Sequence, residues 1–150
     1  MNNVASNILQ ILADLPDFLR KPMLRNRLKE FYEMSDEEKC ETINMALAGA
    51  LIIDPNKLSI LFRTWLEVLS EFDAEKRRVM FQMYCKQILT NPHSITKLNF
   101  KSLTTAFLSL DQRQRELLTD SLHEILLGLP ASKELIKLIP EYSLKAVGLK

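Results

Sequence analysis

Four apolar runs, each closed by a proline, recur along the chain. "ILADLP", "ALIIDP", "QILTNP" and "ILLGLP" end at Pro16, Pro55, Pro92 and Pro130, at intervals of 39, 37 and 38 residues. A second marker keeps the same phase. Ser35, Asp73 and Asp111 stand 38 residues apart, each after an apolar residue, Met34, Phe72 or Leu110. Self-similarity at a fixed period of about 20–50 residues points to a unit that cannot bury its apolar face alone and stacks on its copies.

Both markers have a physical role. Serine and aspartate accept hydrogen bonds from the free N–H groups of a helix's first turn. Ser35 with Glu38 has the spacing of a reciprocal capping box, and Asp111 with Gln114 approximates it. Proline ends the preceding helix and fits the first turn of the next. Asp54-Pro55 and Asn91-Pro92 therefore read as a cap followed by proline at the first helical position. Between the markers, apolar residues recur every three or four positions. Examples are Leu19, Leu24, Leu28, Phe31 and Met34, or Leu58, Leu61, Trp65, Leu66, Leu69 and Phe72. This is one face of an α-helix.

The pattern predicts an all-α fold of about eight helices, arranged as four antiparallel hairpins stacked as a short α-solenoid. The first helices of the hairpins fall at about 3–14, 36–53, 74–90 and 112–128. The second helices fall at about 17–33, 57–71, 94–109 and 131–145, the last broken at Pro140. The hairpins span about 3–33, 36–71, 74–109 and 112–145 of a single domain over 1–150. The competing arrangement is a compact helical bundle built from the same amphipathic helices.

The phased prolines and caps resemble the α-solenoid superfamily of helical-hairpin repeats, the HEAT and armadillo-like proteins. The period falls just short of the about 40–47 residues of HEAT and armadillo units, and the tetratricopeptide Trp/Leu-Gly/Tyr pattern is absent. The resemblance implies a scaffold that offers an extended surface to partners.

Twenty basic against 19 acidic residues give a formal charge of +1, so an electrostatic function needs a local patch. The longest apolar run, "MALAGALII", is far short of the about 20 residues of a membrane-spanning helix. Within it, Ala46, Ala48, Gly49 and Ala50 predict close approach of a neighbouring backbone. The N-terminus has no basic region ahead of its apolar stretch, which argues against a signal peptide. Two cysteines suit a reducing cytoplasm. Cys40 and Cys85 lie at repeat positions about 10 Å apart along the helix axis, beyond disulfide reach, and are predicted to be free thiols.

No catalytic, metal or cofactor set emerges. His123 and Cys85 share a repeat position, but two residues fall short of the three or four ligands of a zinc site. The three glycines are isolated, and none forms a phosphate-binding loop. Trp65 lies on an apolar stripe and reads as core.

Two basic features remain. "LRKPMLRNRLKEF" carries Arg20, Lys21, Arg25, Arg27 and Lys29, with Lys21, Arg25 and Lys29 on one helical stripe. Lys39, Arg77 and Arg115 each stand four residues after a cap, where a cation opposes the helix dipole. These eight residues are the candidate contacts. The function expected from the whole is a non-enzymatic protein-interaction module, with acidic proteins among the expected partners. The alternative is nucleic-acid binding through phosphate contacts on a basic face.

Overall fold

The computed structural model describes residues 2–150, with side chains from Asn7 onward. It is all-helical, and its helices begin at a fixed interval. The five long ones are α2 (Asp17–Glu33), α3 (Asp36–Ile52), α4 (Pro55–Glu71), α5 (Ala74–Thr90) and α8 (Gln112–Gly128), each of 17 residues. The helices starting at Asp17, Asp36, Pro55, Ala74, His93 and Gln112 lie 19 residues apart. The roughly 38-residue period of the sequence is thus two 19-residue units. The remaining helices are α1 (Asn2–Asp14), α6 (His93–Thr96), α7 (Phe100–Leu108), α9 (Ser132–Lys137) and α10 (Glu141–Ala146). Helix count among the described residues is ten rather than eight.

The joints repeat as well as the rods. Met34-Ser35, Ile53-Asp54 and Phe72-Asp73 all connect helices with two extended residues, φ between −54° and −78° and ψ between 136° and 167°. Ser35, Asp54, Asp73 and Asp111 cap the following helices through their side chains. Complete capping boxes form at Ser35–Glu38 and Asp111–Gln114. Ser35→Ala is therefore expected to cost about 1 kcal/mol, read as a lower urea midpoint at an unchanged slope. Asp111→Ala should cost about the same.

Two segments depart from the predicted continuous helices. The 94–109 helix is interrupted at Lys97–Asn99, because the Asn99 side chain accepts from the Ser102 N–H at 3.0 Å and starts a new helix. Asn91, read from sequence as a cap, instead ends α5, and Pro92 precedes α6. The final pair, α9 and α10, meets at Pro140 as expected.

The longer helices pack chiefly on the helix one unit beyond their chain neighbour, while α6 packs on α3 and α5, and α9 on α5. α1, α3, α5 and α8 form one layer, and α2, α4, α7 and α10 form the other. α4 bridges them by packing on α1 and α8. Within a layer the neighbours run parallel. Arg20 meets Thr64 and Arg25 meets Glu71 between α2 and α4; Arg77 meets Ser121 and Arg78 meets Glu124 between α5 and α8.

Two of these contacts are copies of one device. Arg20 and Arg77 each stand four residues after the residue that opens their helix. Each Nε donates at 3.0 Å to a hydroxyl 44 residues on, Thr64 Oγ1 or Ser121 Oγ. Each Nη1 also donates to the carbonyl just before the cap, Leu15 or Phe72. One guanidinium thus ties a joint between successive helices to the next helix of the same layer.

Candidate functional site

The two layers do not close completely on each other. Between them lies an open cleft of about 630 Å³. Leu24, Leu28 and Phe31 of α2, Ile43 and Leu47 of α3, and Leu58 and Leu61 of α4 line one end. Phe107, Leu118, Leu126 and Leu135 line the other. Phe62 stacks on Trp65 at 5.7 Å, and Trp65 meets the Tyr84 ring edge-on at 5.4 Å, which gives the wall an aromatic panel. Trp65, read from sequence as core, is half-buried, packs against the core and also borders this space.

Ala46 and Ala50 also line the cleft. Their small side chains leave room on α3, the helix on which α1 packs. Arg27, Glu30, Thr42 and Met45 are exposed and mark its mouth between α2 and α3. Inside, the hydroxyls are engaged. Thr42 donates to the Glu38 carbonyl at 2.9 Å, Thr119 to the Arg115 carbonyl at 2.9 Å, and Thr104 pairs with Ser143 at 2.7 Å. Burial pushes the Tyr84 hydroxyl up to about 12 and the Cys85 thiol up to about 11, so both stay protonated and neutral near pH 7.

The magnitude of the space matters. A closed, empty void of this volume would cost about 15 kcal/mol at about 24 cal/mol per Å³. That equals the whole stability of an ordinary domain. The space is tolerable because it is open, and its apolar walls disfavour ordered water.

The outer face of α2 carries a second feature. Phe18 is 75% exposed, and Leu19 and Met23 are also exposed beside Pro22. Pro22 has no N–H and so removes the usual partner of the Phe18 carbonyl.

The eight basic candidates do not form one face. Arg20 and Arg77, 5% and 7% exposed, are internal clamps, so the sequence-based assignment of these two to partner contact is corrected. Lys21 and Arg25 converge on Glu71, each at 2.8 Å. Lys39 sits over the Phe31 ring at 6.0 Å. Arg115 donates to the Leu108 carbonyl at 3.4 Å and lines a smaller recess of about 310 Å³ with His123 and Lys145. Arg27 and Lys29 are exposed. The fold rather than solvent explains Arg77, the middle member of the cap-plus-four column.

Burial alone would push the Glu71 carboxyl up, but hydrogen bonds from Lys21 and Arg25, and their charges, outweigh it and hold it below the usual carboxylate range. A depressed folded value stabilises the fold above the unfolded carboxylate pKa, and the contribution disappears as pH falls through the folded value. The stability difference between the wild type and Glu71→Gln is therefore expected to be present at pH 7 and to shrink below about pH 4. Urea denaturation across that range measures it.

His123 donates its Nε2–H to the Val147 carbonyl at 2.7 Å. His123 and Cys85 do not assemble a metal centre; among the described residues no group of three His, Cys, Asp or Glu side chains is placed to hold an ion. Both cysteines are free thiols, as predicted. Among the described residues no helix is long and apolar enough to cross a membrane. Neither the known family models nor the curated proteins nor the solved structures give a match to the chain.

Proposed function

We propose that the chain is a non-enzymatic binding module, a short α-solenoid of the HEAT and armadillo-like type that recognises another protein in the cytoplasm. The observation that carries this reading is the exposed apolar face of α2, with Phe18 at its centre. Phe18, Pro22 and Lys29 share one helical stripe, and Leu19 and Met23 lie beside it. An apolar anchor with an adjacent cation suits a partner that presents an apolar side chain flanked by acidic ones. The parallel same-layer packing and the repeated arginine clamps support the solenoid description.

A photo-reactive phenylalanine at position 18 tests it. The expected result is a discrete protein adduct in cells that is absent when the probe is placed at the exposed control Asp120, and that is lost when Met23 is replaced by Asp. Equal labelling at both positions would remove the basis of the reading. The nucleic-acid alternative is weakened by the dispersal of the basic residues. It requires oligonucleotide affinity that falls steeply with salt.

A further inference from the structure

The interlayer cleft is a different feature from the α2 face, and its chemistry points to a different occupant. We propose that it is a binding site for a hydrocarbon chain of acyl type, with the polar end of the ligand left at the mouth beside Arg27, Glu30 and Thr42. Three observations select this class. First, the volume of about 630 Å³ falls in the range of small-molecule sites, about 300–1,000 Å³.

Second, among the described residues the walls offer almost nothing to a polar ligand. Thr42, Thr104, Thr119 and Ser143 already bond within the chain. The charged lining residues, Arg27 and Glu30, are exposed and stand at the mouth. A ligand carrying charge along its length would be desolvated without a partner, whereas a hydrocarbon would not. Third, the small side chains of Ala46 and Ala50, one helical turn apart on α3, both border the free space.

Trp65 is the only tryptophan of the chain and stands on the cleft wall, so it reports occupancy directly. The test is a titration of the full chain with cis-parinaric acid, a fluorescent fatty acid, following both probe emission and Trp65 quenching by energy transfer. The expected result is saturable binding of one probe per chain, displaced by palmitate and by hexadecanol but not by butyrate. Displacement by palmitate alone would assign the mouth to carboxylates through Arg27; displacement by both assigns the site to the chain itself. Either outcome supports the proposal. Ala46→Phe, which takes up space in the cleft, is expected to weaken binding at least tenfold with helical circular dichroism unchanged. If that variant does not fold, Leu103→Trp fills the cleft from α7 and serves the same purpose. Phe18→Asp should leave probe binding unaltered, so failure here and failure of the protein-partner reading are separable. Absence of saturable binding by the wild type, or undiminished binding by a folded, filled variant, would overturn the assignment.

Discussion

Arg77→Ala is expected to lower the unfolding free energy by about 3 kcal/mol. The guanidinium is buried and makes two charge-assisted hydrogen bonds, from Nε to Ser121 and from Nη1 to the Phe72 carbonyl. Bonds of this kind contribute about 1.5–3 kcal/mol each, and the truncation also leaves the Phe72 carbonyl without that donor. Lysine should recover less than half of the loss, because one ammonium on a flexible stem does not reproduce the fork that reaches both acceptors. Methionine fills the volume without a charge and is expected to cost less than alanine. A double-mutant cycle with Ser121→Ala should return a coupling of about 1–2 kcal/mol. Urea denaturation gives all four values, and a loss below about 1 kcal/mol for Arg77→Ala would mean that the clamp is incidental.

Leu69→Ala should cost about 3–4 kcal/mol, at the upper end of the range for large-to-small core changes. Leu69 is 0% exposed near the end of α4, the helix that packs on members of both layers. It does not line the cleft, so its removal opens a new void rather than enlarging an existing one. Leu127, 89% exposed on α8, is the control, and its alanine variant should stay within about 0.5 kcal/mol of wild type. Thermal and urea unfolding of the two variants side by side measures the contrast. Similar losses at the two sites would contradict the assigned core.

The helices and their starts were legible because their signals are local. Ser35, Asp54, Asp73 and Asp111 bond to N–H groups two or three residues away, and nothing distant alters that. The break at Lys97–Asn99 carried a local signal too, an asparagine three residues before Ser102, but the apolar spacing of Ile95, Leu98 and Leu103 masked it. The 19-residue unit was hidden because alternate units open differently: Ser35, Asp73 and Asp111 begin one series, and the proline-bearing Pro16, Asp54-Pro55 and Pro92 begin the other. The fate of Arg20 and Arg77 was not legible, since arginine is rarely buried and each partner hydroxyl lies 44 residues away. The cleft was not legible for a different reason. Empty space is a property of how helices meet. The alanines at 46 and 50 read as a site of close contact, and the structure places them on its wall.

The clamps between parallel neighbours also bear on synthesis. Arg20 meets Thr64 and Arg77 meets Ser121, each across 44 residues. A chain leaving the ribosome can close none of these links with only two helices available. α2 must wait for α4, and α5 for α8, so the smallest piece able to hold itself together spans three consecutive units. Nascent chains should therefore gain protease resistance in steps as each unit from the third onward emerges, with a lone hairpin remaining open to cleavage.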